Sequence, residues 1–226
     1  MHRQILAASA FLLGAITTTV HAAPSPSSLL ETRTASPKCW YGSDFPAQSD
    51  WLSFDSLFEK WRPQFQQQGD TDHELSVMKD ALQTYSGQAG VDATLTTAMM
   101  IQESAGNTCR TCGDSGASCG LLQVRGAPKD CDGTAHPCAD GSIQKAIQCG
   151  TVGCGVEGSN IKSCVASQGQ QWGDVLRCYN TGSVPDKTNL RVALSGDPRY
   201  IHMIANILLG ADYATLGELG GAACGF

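Results

Sequence analysis

Apolar residues recur every three or four positions through much of the chain from residue 74 onward. Leu75, Met78, Leu82 and Tyr85 form one such stripe, closed by Gly87 and Gly90, and predict a helix. Asp92 is placed to cap the next helix, which carries Leu95, Met99 and Glu103 and ends at the Gly106-Asn107 pair. Ile143 with Ile147, and Ile161 with Val165, predict two short helices. The run "QQWGDVLRCYN" predicts another through Trp172, Leu176 and Tyr179. Residues 199–209 follow Asp197 and Pro198, turn Ile201, Ile204, Ala205 and Leu208 inward, and stop at Gly210. Upstream, Phe54, Leu57, Phe58 and Trp61 share helical spacing, with Pro63 as the expected end. Strand-like alternation is scarce and no internal repeat is present. Long cysteine-bearing loops, notably 108–137, separate the helices. The expected fold is mainly α, a helical domain with long disulfide-pinned loops.

The two ends of this pattern change the picture. Residues 1–22 combine Arg3, an apolar stretch over 5–20 and small residues before a cleavage point, which predicts a secretory signal peptide. Residues 23–38, rich in Pro, Ser and Thr, predict a flexible leader. Residues 39–72 form an aromatic segment expected to pack on the main domain, residues 73–226. No later segment is apolar enough to predict a membrane span, since His202 and Asn206 interrupt the best candidate.

All 11 cysteines lie beyond the predicted signal peptide. In a secreted chain they predict five bridges and one cysteine left over, either a buried thiol or an intermolecular partner. A zinc site at Cys109, Cys112 and Cys119 competes with that reading. An oxidising compartment and a supply of only His73, His136 and His202 favour bridges. The formal charge is −6, becoming −7 once Arg3 is removed, and no Lys-Arg run occurs. Nucleic acid is therefore not an expected partner, nor is a membrane or a strongly anionic surface; the chain is expected to be a monomer.

Glu103 carries the candidate chemistry. Met99, Met100 and Ile101 precede it, Ala105 and Gly106 follow it, and the carbonyls of a helix end disfavour its negative charge. A glutamate so held stays protonated toward neutral pH and is fit to act as a general acid. A single glutamate is as readily a solvated surface residue, so its company matters.

That company is "QESAGN", then "GDSGASCGLLQV", then "CYNTGS". The ordered set resembles the goose-type lysozyme and soluble lytic transglycosylase superfamily, in its secreted fungal type, over about a third of the chain. Glu103-Ser104 is similar to the family's Glu-Ser pair, Gly120-Leu121-Leu122-Gln123 to its Gly-Leu-Met-Gln segment, and Tyr179-Asn180-Thr181-Gly182 to its Tyr-Asn-Ala-Gly segment. The resemblance implies a lysozyme-like fold that cleaves β-1,4 bonds between N-acetylmuramic acid and N-acetylglucosamine in peptidoglycan, with Glu103 as general acid and no metal or organic cofactor. It also implies a substrate-binding set of Ser104, Gly120, Leu121, Leu122, Gln123, Tyr179 and Asn180. In that set Gln123 offers an amide to the sugar and the backbone of Leu121 and Leu122 meets N-acetyl groups. Tyr179 bonds near Glu103 and holds it, while Asn180 with Gly182 mainly shapes a turn. The glycines of 113–120 are expected to let backbone pass beneath a sugar ring.

Asp114, six residues before Gly120, resembles the water-positioning aspartate of the goose-type enzymes and predicts inverting hydrolysis. Their second aspartate corresponds to Arg125 here, leaving Asp130 or Asp132 as substitutes. Three alternatives stay open: transglycosylation to 1,6-anhydro products, a chitin-directed hydrolase, and a non-catalytic wall-binding or effector protein. An EF-hand and a Ser-His-Asp triad are unsupported, for lack of repeated carboxylates and of a G-x-S-x-G elbow.

Overall fold

Helix α1 (Phe54–Gln67) starts where the Ser53 hydroxyl accepts from the N–H of Ser56, and it buries Leu57, Phe58, Trp61 and Phe65. Pro63, expected to end it, lies inside it. A proline in a helix interior removes one donor and costs about 3 kcal/mol. Beyond it, the fully buried Phe65 packs edge-on against Phe58 at 5.5 Å between ring centres, and that burial holds the last turn in place. These are coordinates of a computed structural model, which describes residues 38–42, 44–212, 214–216 and 224. The predicted signal peptide, and all of the predicted leader except Lys38, lie outside them. Lys38 itself pairs through its backbone with the Asn206 amide, at 3.0 and 2.8 Å.

Helix α2 (Asp72–Ala89) opens on a capping box between Thr71 and Glu74 and buries Leu75, Met78 and Leu82. It runs through Gly87, which was expected to close it, and stops at Gly90, where φ is 73°. Gly87 is exposed and its position has open space around it, so nothing there obliges the chain to turn. Helix α3 (Ala93–Ser104) is capped by Asp92, as the sequence predicts. Every residue from Thr94 to Ile101 is buried, because α1, α2 and α7 surround it. Its end is tight: a Cβ at Gly106 would run into the Phe65 ring, so the chain leaves α3 directly beneath α1.

Four further helices follow: α4 (Asp140–Thr151), α5 (Ile161–Gln168), α6 (Trp172–Thr181) and α7 (Tyr200–Leu208). α4 packs on α2, α5 on α6, and α7 on α3 and α6. The chain is helical again at residues 214–216. One small hairpin, β1 (Ser118–Cys119) antiparallel to β2 (Val124–Arg125), interrupts the helices. The fold is mainly α with disulfide-pinned loops. The aromatic segment joins the same core through Trp51, Leu52 and α1.

Five disulfides form: Cys39–Cys224, Cys112–Cys119, Cys131–Cys138, Cys149–Cys154 and Cys164–Cys178. The Cys112–Cys119 bridge rules out the zinc set that competed for those two residues. Cys109 is the leftover cysteine, and it is a buried free thiol.

Candidate active site

Glu103 sits in the last turn of α3, half-buried. It lines a cleft of about 1130 Å³ whose walls come from the end of α6 and from three loop regions. One wall is the hairpin region, with Gly113, Asp114, Ser118, Gln123 and Arg125; beside it stands the 157–159 loop. The opposite wall is formed by Tyr179 to Gly182 and by residues 195–199. A second hollow of about 460 Å³ also borders Glu103 and is lined by Trp61, Ile101, Met203 and Ile207. Glu103 and Arg199 border both spaces.

Burial pushes the Glu103 pKa up to about 7, and the charge of Asp114 adds to the effect. One contact opposes it: the Tyr200 hydroxyl donates to Glu103 Oε1 at 2.7 Å. Tyr179, the expected partner, instead donates to the Leu122 carbonyl at 2.7 Å. It thereby ties α6 to the 120–123 turn. Tyr200 was invisible to motif reading, because it lies 97 positions from Glu103 and stands in no shared motif. Burial raises both phenols well above their ordinary range, so each stays a hydrogen-bond donor.

Several of the residues expected to meet substrate also hold the local structure together. Gln123 Oε1 accepts from the N–H of Gly113 at 2.8 Å, and its Nε2 donates to the Gly120 carbonyl at 2.9 Å. Its amide therefore braces the cleft wall that it also lines, with one N–H and one lone pair beyond these two bonds. Leu121 and Leu122 are fully buried in the core. Gly120 faces α4, where a Cβ would come within 2.9 Å of the Ala146 Cβ; close helix packing is what requires a glycine there. Ser104 is buried, donating to the Met100 carbonyl at 3.0 Å and accepting from the N–H of Gly106 at 3.2 Å, which closes α3. Asn180 does line the cleft, and its Oδ1 accepts from Arg177 at 2.9 Å.

Asp114 is exposed in the cleft, with the Ser118 hydroxyl donating to its Oδ2 at 2.6 Å. Asp114 and Ser115 adopt left-handed backbone at φ 50° and 58°. Among the described residues the other non-glycine positions of this kind are Ala105 at 54° and Gln123 at 44°. All four border one of the two spaces around Glu103. Left-handed backbone costs roughly 1–2 kcal/mol per non-glycine residue, and such strain gathers where position matters more than stability.

Asp130 and Asp132, the expected substitutes for a second acid, do not line the cleft. Both border a separate small hollow with Lys129, and Asp132 Oδ1 accepts from the N–H of Cys112 at 2.8 Å. Arg125 reaches the cleft where the second acid was expected. A carboxylate not foreseen, the exposed Glu157, stands on the same wall, where the neighbouring Gly158 donates to the Arg125 carbonyl at 3.1 Å.

The far wall is held by a fully buried side chain, Arg177 of α6. It donates to the carbonyls of Leu190, Asp197 and Pro198 at 2.8, 3.1 and 3.2 Å. With Asn180 these contacts fix the 183–199 segment against α6. No protein-family model, curated protein or solved structure matches the chain.

Proposed function

We propose that the chain is a secreted lysozyme-type glycoside hydrolase, with Glu103 donating a proton to the departing glycosidic oxygen. The supporting observation is the half-buried carboxyl of Glu103, which lines both spaces and whose pKa burial raises to about 7. A glycosidase must seat sugar on both sides of the scissile bond and present a protonated acid to it. Five disulfides, and no helix among the described residues long and apolar enough to cross a membrane, fit an extracellular setting.

The substrate class is a β-1,4-linked amino-sugar polymer, and the motif resemblance favours bacterial peptidoglycan over chitin. Asp114 is the candidate base. Ser118 holds one of its oxygens, leaving the other to orient a water on the sugar face opposite Glu103, the inverting arrangement. As Glu103 gives its proton to the leaving oxygen, the water bonds to the anomeric carbon and loses its proton to Asp114. This chemistry requires no metal.

The test is clearing of a Gram-positive wall suspension by the wild-type chain and by Glu103→Gln. Clearing by the first and none by the second supports the reading; binding without clearing by either overturns it in favour of a non-catalytic wall binder. The Arg125 substitution gives transglycosylation its standing as a second reading. Released products decide between them: reducing ends mean hydrolysis, 1,6-anhydro ends mean ring closure by the sugar itself.

A further inference from the structure

Away from the cleft, the one unbridged cysteine has notable neighbours. Cys109 Sγ, Glu74 Oε1 and a ring nitrogen of His136 lie within 4.8 Å of one another. Cys109 and Glu74 are buried and His136 is mostly so. Asp70 adds a fourth group: its Oδ1 lies 3.6 Å from His136 Nδ1, and the side chain is wholly shielded from solvent. Its other oxygen, Oδ2, is buried with no hydrogen-bond partner among the described residues. An orphaned, buried carboxylate oxygen costs free energy unless it meets a proton or a cation.

The electrostatics of the two acids differ. Burial works against the charge of Glu74, yet the N–H groups of Thr71 and Cys138, with His136 and the Thr71 hydroxyl, hold its pKa down at about 2. Burial moves Asp70 the other way, above its ordinary value, against the pull of Thr108 and His136.

We propose that Glu74, Cys109 and His136 form a buried binding site for a zinc-type divalent cation, with the Asp70 carboxylate beside His136 as a neighbouring anion. A thiolate and an imidazole select a borderline-soft ion over calcium or magnesium, and three protein ligands leave the fourth position of such an ion to water. Binding releases the thiol proton to solvent and leaves His136 with its lone pair on Nδ1 and its proton on Nε2. The N–H of Cys138, which donates to Glu74 Oε1 at 2.7 Å, orients that ligand from behind. The four residues come from the α1–α2 turn, α2, the segment after α3 and the Cys131–Cys138 loop. The ion therefore clamps the loop that runs from the helix of Glu103 to Asp114. The site is independent of the glycosidase reading, and its test does not use activity.

The full-length secreted protein, stripped with chelator and dialysed against zinc, is expected to retain about one ion per chain. Its Tm is expected to rise by about 5–10 °C at a hundredfold excess over Kd. Cobalt in place of zinc is expected to give a thiolate-to-metal absorption in the near ultraviolet. Cys109→Ser is expected to abolish that band, and His136→Gln to abolish stoichiometric retention. A folded wild-type chain with a reduced Cys109 that retains no zinc, or that binds cobalt without the thiolate band, overturns the proposal whether or not the variants fold.

Discussion

The Tyr200 hydroxyl reaches Glu103 Oε1 at 2.7 Å from the first turn of α7, joining the two helices that pack at the centre of the domain. The contact works against the shift that makes Glu103 useful, because a donor to a carboxylate favours its charged form. Burial outweighs it, and the pKa still rises to about 7. Tyr200 therefore holds the Glu103 carboxyl in place at some expense in its proton affinity.

The first expected outcome is a pH profile. Only protonated Glu103 donates, so wall-clearing activity is expected to fall as pH rises through about 7, tenfold per unit on the alkaline limb. Asp114→Asn removes a charge that raises this pKa and is expected to move the limb to lower pH. A flat profile to pH 9 excludes Glu103 as the acid.

The two tyrosines are separable. Tyr200→Phe removes the donor that lowers the Glu103 pKa, so the alkaline limb is expected to move up by about one unit. Loss of orientation should lower kcat by roughly ten- to hundredfold. Tyr179→Phe breaks only the bond to the Leu122 carbonyl, so the limb is expected to stay while KM rises with a looser 120–123 turn. The limb positions of both variants, measured side by side, check the assignment.

That exchange of tyrosines marks where sequence reading stops. Helix-forming stripes, the Asp92 cap and the apolar surroundings of Glu103 are local, and each could be read from a few neighbouring residues. Pro63 and Gly87 misled because a breaker acts locally, whereas tertiary burial of Phe65 and an unobstructed helix surface decide the outcome. The motif residues Gln123, Leu121 and Leu122 were readable as important but not as to direction. That the Gln123 amide braces backbone depends on Gly113, ten positions away in sequence. Arg177 and Tyr200 act through partners 13 to 97 positions distant, with no periodic signal to betray them.

Arg177 offers a test of the cleft's far wall. It is fully buried and its guanidinium serves three backbone carbonyls and Asn180. Arg177→Met keeps most of the packing volume but strands those acceptors, each costing about 1–3 kcal/mol when left unsatisfied and buried. A destabilisation of about 3–5 kcal/mol is expected in chemical denaturation. Proteolysis should begin within 183–199, a segment whose end, residues 195–199, borders the cleft.

The last expectation concerns the cost of keeping an acid neutral. Glu103 has an ordinary carboxyl pKa in the unfolded chain, 4.5, and one of about 7 when folded. Between those values the folded protein binds more protons than the unfolded one, so its stability falls as pH rises. Above the folded pKa the full penalty is present, on the order of 2–3 kcal/mol for a half-buried group with this shift. Glu103→Gln removes the ionisable carboxyl yet keeps an oxygen for the Tyr200 hydroxyl, so the variant loses activity while gaining that stability at pH 8. At pH 4, where both states of the parent are largely protonated at this position, the two proteins should unfold at nearly the same denaturant concentration. Denaturation curves at the two pH values measure the difference. An inactive variant with no gain at pH 8 would mean that Glu103 is ionised without penalty, and the general-acid assignment would lose its physical basis.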